Sequence, residues 1–180
     1  MSAMAPTSTP ASLDRLFLDF SDKKLEQLMD RIKTAVERLS EEQVWARPAD
    51  AANAIGNLLL HLNGNVRQWI LAGIGGETDI RHRDAEFAAT GDVSPADLMG
   101  RLDSTVSDAR QVIRELSAAR LTELVVVQNY ERTVLESIYH VVEHFSAHTG
   151  QILYASKAMT NKGFDFYPLL GKPTKPTTVP

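Results

Sequence analysis

The chain has 180 residues, 43% of them apolar and 23% charged, the length and balance of a single globular domain with a sizeable core. With 19 Lys and Arg against 23 Asp and Glu the formal charge is −4, and the one dense basic cluster, Arg81-His82-Arg83, is offset at once by Asp84 and Glu86, which argues against nucleic acid as a partner. The absence of cysteine excludes a disulfide framework, a thiolate nucleophile and a sulfur metal ligand, and no apolar run approaches the roughly 20 residues of a membrane span.

Residues 1–12 are rich in Ala, Pro, Ser and Thr and lack the basic start and apolar stretch of a secretory signal, so they read as a disordered leader, with the cytoplasm as the expected location. Four helical segments follow. The first is expected near residues 13–40, with Leu13, Leu16, Phe17, Phe20, Leu25, Leu28, Ile32, Val36 and Leu39 recurring every three or four residues along one stripe. The second is expected near 51–73, with Ile55, Leu58, Leu62 and Trp69 inward, and it is closed by Gly73, Gly75 and Gly76. Asn53 reads best as part of its N-terminal cap. Residues 77–93 form a long polar connection, a length that often covers a site or carries a partner contact.

Ser94-Pro95-Ala96-Asp97 opens the third helix, near 94–117: serine caps, proline suits the first position and the acid favours the positive end. A short extended piece is expected at Leu124-Val125-Val126-Val127-Gln128. Thr133-Val134-Leu135-Glu136 has capping-box spacing and starts the fourth helix, near 133–159. Residues 161–180, rich in Pro, Lys and Thr, form an extended tail. Four amphipathic helices, each with one apolar face, predict an all-α four-helix bundle over 13–160.

Three of the five histidines stand in one stretch, His140-Val-Val-Glu-His144-Phe-Ser-Ala-His148. Residues four apart share a helix face, so either His140 with His144 or His144 with His148 can offer two imidazoles to one ion. His140 and His148 cannot both do so, being roughly 12 Å apart along the axis. His61 lies within the apolar turn Leu58-Leu59-Leu60-His61-Leu62, where a buried imidazole needs partners for its nitrogens. Asn57 and Asn65, one turn to either side, suggest a polar pocket or groups that orient the ligands.

His144-Phe-Ser-Ala-His148-Thr-Gly-Gln151-Ile152 resembles the motif on the last helix of the DinB-like superfamily, in which HxxxH is followed by a short polar residue, Gly and Gln. Asn53-Ala-Ile-Gly-Asn57-Leu-Leu-Leu-His61-Leu-Asn-Gly64-Asn65 is similar to that superfamily's second-helix motif, and Arg83-Asp-Ala-Glu86-Phe87 resembles the connection after it in one uncharacterised branch. The resemblance spans roughly residues 12 to 160. It implies a metal triad of His61, His144 and His148, with His140 one turn back as a pocket residue. It also implies an up-down-down-up bundle with a long crossover between the second and third helices, and homodimers. Gln151, three residues after His148, is the polar group best placed to orient a ligand.

Three histidines leave coordination positions open, the pattern of a reactive site more than a closed structural one. Zinc or nickel leads, with manganese or iron next. Relatives that transfer groups to or from low-molecular-weight thiols imply a metal-dependent transferase or hydrolase acting with a small-molecule thiol or with water. No residue declares itself the general base: Glu143 stands about 100° round the helix from His144, Tyr139 reads as a pocket residue, and Tyr154 reads equally as pocket or core. The competing reading is a non-catalytic, metal-stapled dimeric bundle that serves as a stress-response or ligand-binding module.

Overall fold

A computed structural model describes residues 12–167, so the leader up to residue 11 and the tail from residue 168 lie outside the described residues. The elements are α1 (Leu13–Val36), α2 (Glu41–Trp45), α3 (Ile55–Val66) continued by a π-helical stretch (Arg67–Ala72), α4 (Arg83–Ala88), α5 (Pro95–Glu115), a 3-10 turn (Ala118–Thr122), the strands β1 (Leu124–Val127) and β2 (Tyr130–Thr133), and α6 (Val134–Thr160). Among the described residues no helix is long and apolar enough to cross a membrane.

The four long helices form the bundle. α1 packs on α5 and α6, and α3 packs on the same two from the other side. Asp22 of α1 meets Arg110 and Arg114 near the end of α5, so these two helices run antiparallel. Phe20 lies against the 139–147 part of α6 while Ala35 receives a hydrogen bond from Ser156, so α1 and α6 run parallel. His61 meets His144 and Trp69 meets His140, so α3 opposes α6. The result is an up-down-down-up bundle, with the long crossover between α3 and α5. Its interior is filled by Leu25, Leu28 and Ile32 of α1, Ile55, Leu59 and Leu62 of α3, Leu102, Val106 and Ile113 of α5, and Val134, Ile138, Val141, Phe145 and Ile152 of α6. These are the apolar stripes expected from the spacing.

Several boundaries move for identifiable reasons. α1 stops at Val36 rather than near 40, because Ser40 opens a new helix with a complete capping box: its Oγ accepts from Gln43 N–H, and Gln43 Oε1 accepts from Ser40 N–H. Leu13, Leu16 and Phe20, expected on the buried stripe, are exposed. α3 starts at Ile55, later than the expected 51, because the Asn57 side chain caps it: Oδ1 accepts from Ala54 N–H at 3.1 Å. The cap residue is thus Ala54 and not Asn53.

The polar connection 77–93 is not structureless. It carries α4, held by the Asn57 amide, which donates to Glu86 O at 3.0 Å and Ala89 O at 2.9 Å. The expected extended piece is β1, and it pairs antiparallel with β2 through a two-residue turn, Gln128-Asn129, both with positive φ as a type I′ turn requires. That hairpin sits close to the π-helical end of α3: a Cβ on Gly73 would lie 2.5 Å from Val127 Cγ2. Behind α6, residues 161–167 carry no helix, and their Phe164 and Tyr167 rings lie against Arg38, just past α1, and Arg31 of α1.

Candidate metal centre

The histidine cluster joins two helices and the crossover between them. α3 brings His61, 6% exposed, to the inner edge of the bundle, and α6 presents His144 and His148 on successive turns of one face. His61 Nε2 stands 3.1 Å from His144 Nε2, and His148 Nε2 stands 3.2 Å from the same atom. One nitrogen from each of the three lies within 4.8 Å of the others, and among the described residues no carboxylate joins them. Nitrogens bound about 2.0–2.1 Å from one tetrahedral ion stand roughly 3.3–3.4 Å apart, so two of the three spacings already suit an ion and a small ring rotation serves the third.

The partners on the far side of each ring decide what the three nitrogens carry. His61 Nδ1 faces Glu86 Oε2 at 2.9 Å. A carboxylate only accepts, so Nδ1 holds the proton and Nε2 is left with its lone pair. His148 Nδ1 likewise donates to Gln151 Oε1 at 2.8 Å, leaving its Nε2 as a lone pair. Two lone pairs therefore converge on His144 Nε2. A proton there could satisfy only one of them, and His144 Nδ1 is buried with no partner in either tautomer. A cation accepts all three lone pairs at once. The donor set thus fits a divalent ion held by imidazole nitrogen.

Glu86 is fixed in turn. Arg81 clasps it with Nε at 2.7 Å to Oε1 and Nη2 at 2.8 Å to Oε2, a fork-on-fork pair whose two side chains are almost wholly buried. Arg81 Nη2 also lies 3.1 Å from His61 Nδ1, because both donors converge on the same oxygen. Burial opposes ionisation of Glu86, but the hydrogen bonds from Arg81 and His61 outweigh it and hold the carboxyl below the usual range. The approach depends on Gly64, since a Cβ there would fall 2.0 Å from Glu86 Oε1. Phe87, on the next position of α4, packs its ring 4.8 Å from His61.

Electrostatics disfavour protonation of the α6 histidines. Burial first, then the neighbouring histidines and Arg81, push His144 down to about 3. Burial also lowers His148 and His140. Neutral imidazoles at neutral pH are what a metal ion needs.

The other expected site residues fall into place unevenly. Gln151 supports His148 as expected. His140 stands one turn before His144, its ring 5.6 Å from that histidine and 4.5 Å from Trp69. Asn57 holds α4 and the α3 cap. Asn65 is buried with Oδ1 unpaired. Glu86 and Arg81 were not singled out for a role at the site by sequence reasoning. The signal available was an acid in the loop after a histidine-bearing helix, which has meaning only once the loop is seen to fold back.

The family model described as a protein of unknown function, DUF1572, matches residues 12–169. No curated protein matches the sequence. Solved structures share the fold. A conserved protein from Enterococcus faecalis is 14% identical with a TM-score of 0.67, covering 80% of this chain and 97% of that one. The DinB-like protein YjoA from Bacillus subtilis is 14% identical with a TM-score of 0.63, over 82% and 97%. A DinB-like protein from Bacillus cereus is 14% identical with a TM-score of 0.62, over 79% and 90%. At this identity the likeness is one of fold, and the fold is DinB-like.

Proposed function

The chain belongs to the DUF1572 family of proteins of unknown function, with a DinB-like fold, and from that footing we propose that it is a metal-dependent transferase or hydrolase. One divalent ion, zinc or nickel first and manganese or iron next, is held by the Nε2 atoms of His61, His144 and His148. The observation that carries this reading is the pair of anchored imidazoles: Glu86 and Gln151 fix both lone pairs toward His144. When bound, the ion supplies a Lewis acid with open positions, able to polarise a carbonyl or lower the pKa of a water or a small-molecule thiol.

The protein's own contribution is orientation. Arg81 holds Glu86, Glu86 holds the His61 tautomer, and Gln151 holds that of His148. The cosubstrate brings any thiol, since the chain has no cysteine. Elemental analysis of the purified protein, then a group-transfer screen with several cellular thiols and with water, tests the reading. About one equivalent of metal, lost in His144→Ala, with turnover in the metal-loaded form, is the expected result; a metal-free protein that takes up no added zinc or nickel refutes it.

A second reading has its own observation. His61 and the pair on α6 come from different helices, so an ion there staples α3 to α6, and a protein of this kind serves as a stress-response or ligand-binding module. An ion that exchanges no ligand position with solvent favours the staple. We also propose that two copies pair, as the resemblance implies; the exposed Leu13, Leu16 and Phe20 of α1 offer apolar surface for it. Sedimentation at several concentrations measures that.

A further inference from the structure

A recess of about 360 Å³ opens beside the histidine cluster, between the π-helical end of α3, the β1–β2 hairpin and the first turns of α6. Trp69, Tyr130, Arg132, Leu135, Tyr139 and His140 line it. Tyr130, Leu135 and Tyr139 are large apolar side chains left exposed, at 55%, 40% and 63%. Apolar rings left around a concave surface, with a few polar groups among them, are how small-molecule sites are built. Alternate residues of a strand share a face, so β2 presents Tyr130 and Arg132 together, and the guanidinium lies 5.5 Å from the tyrosine ring centroid.

The polar inventory of the recess is uneven. Trp69 is 5% exposed, and its indole N–H is a buried donor without a partner. Arg132 spends one N–H on Glu131 O, and no carboxylate of the described residues forms an ion pair with it. The one acid in the wall, Glu136, takes the N–H and hydroxyl of Thr133 on Oε2 at 2.7 and 2.8 Å as part of the α6 cap, with the Arg132 charge nearby, and Gln128 adds an amide to the lining. The Trp69 N–H and the remaining N–H groups of Arg132 are thus open to an acceptor, which suits an anion carried on an apolar or aromatic body.

Its position gives that ligand a purpose. The His140 ring is the wall between the two sites, 4.5 Å from Trp69 on the recess side and 5.6 Å from His144 on the other. One helical turn, about 6 Å along the axis, separates His140 from His144. The recess and the cluster are thus neighbours across one side chain.

We propose that this recess binds the organic substrate of the metal centre, a small carboxylate with a planar apolar body, its carboxylate against Arg132 and its body over Trp69, Tyr130 and Tyr139. What the ligand does there rests on the metal reading; that it binds does not. The probe is 3-phenylpropionate, with 3-phenylpropan-1-ol as its uncharged match, titrated into ¹⁵N-labelled protein in metal-free and zinc-loaded forms. The two tryptophans give two indole N–H signals, assigned by Trp69→Phe, and Trp45, bonded to Val93 O, serves as the internal control.

The acid should move the Trp69 signal and leave Trp45 in place. The alcohol, and the acid on Arg132→Gln, should bind at least about 10-fold more weakly, the loss of one charge-assisted contact. Arg132→Lys should recover part of the loss, which a purely structural role would not predict. Three outcomes overturn the proposal: no movement at about 10 mM acid, the weak end of specific binding; equal binding of acid and alcohol; or a Trp69 signal that moves with protein concentration alone, showing a second copy over the recess. If the acid binds and no metal does, the recess stands and the metal reading falls. If zinc binds and the acid does not, the reverse holds.

Discussion

Two arginine–carboxylate networks lie at helix contacts in this bundle, and they end differently. Between α1 and α5, Asp22 Oδ1 receives Arg110 Nε at 2.7 Å and Arg114 Nη1 at 3.0 Å, and Arg110 continues to Glu26 at 2.8 Å. Every member is satisfied by another member, and the network stops there. Between α3 and α4, Glu86 receives Arg81 through both oxygens, but Oε2 is shared with His61, and the far nitrogen of that ring points at His144. The first network is a clasp. The second transmits an orientation into a place where lone pairs meet. A paired carboxylate in a bundle is structural by default, and what marks the exception is an imidazole between the pair and an unsatisfied centre.

The largest expected effect separates the networks outright. His144→Ala and His148→Ala should each abolish stoichiometric metal binding, because two nitrogens do not make the site. Asp22→Asn should leave metal content unchanged. Metal analysis on dialysed proteins reads both, and a metal-free Asp22→Asn would erase the distinction. Next comes Glu86→Gln, which keeps the shape and removes the charge that fixes the His61 tautomer. Metal affinity should fall roughly 10- to 100-fold, measured by competition with a chelator of known affinity. If Glu86→Gln lowers only the melting temperature and leaves affinity intact, the Arg81–Glu86 pair is a second clasp.

The stability side sharpens the same contrast. Asp22→Asn strands two guanidinium groups that are only partly buried, so a loss of about 1–2 kcal/mol is expected, read as a lower denaturation midpoint at unchanged slope. The histidine end should show itself in pH instead. His144 sits near 3 in the fold, and burial lowers His148 and His140 as well. An unfolded imidazole titrates near 6.5, so the unfolded chain takes up protons first as the pH drops. Stability of the metal-free protein is therefore full above about pH 6.5 and declines progressively below it. His144→Gln should flatten that decline; an unchanged slope in the variant would mean the cluster titrates normally.

The difference between what could be read and what could not follows the same division. The helices were legible because each carries one apolar stripe at helical spacing, from Leu25-Leu28-Ile32 to Val134-Ile138-Val141. The histidine pair on α6 was legible because spacing along one helix is local information. Which of the two pairs belonged with His61 was not decided by spacing, since His140 and His148 flank His144 equally. It came from the resemblance of the Thr149-Gly150-Gln151 that follows to the DinB-like motif. Glu86 lay beyond that reach altogether. It meets His61 from 25 positions away only because Asn57 draws the backbone of α4 onto α3 and because residue 64 has no side chain to block it. Contacts made by a folded-back loop depend on closure and packing, which no local pattern records.

The smallest expected effect is the most discriminating for the register of the site. His140 stands in the same stretch as the two α6 histidines of the proposed site, and a one-turn error would exchange it for His148. In the structure its ring leans on Trp69, and none of its nitrogens joins the converging set. His140→Ala should therefore keep about one equivalent of metal, with an affinity loss no greater than the 10- to 100-fold of a neighbouring support and smaller than that of Glu86→Gln, because no hydrogen bond links His140 to a ligand. His148→Ala should lose the metal. Both are measured by the same chelator competition on proteins of matched fold, judged by helical circular dichroism. Metal lost in His140→Ala and kept in His148→Ala would move the site one turn toward the start of α6. Gln151 would then support a ring that binds nothing, and Glu86 would still fix His61, so the transmitting network would survive with a different partner.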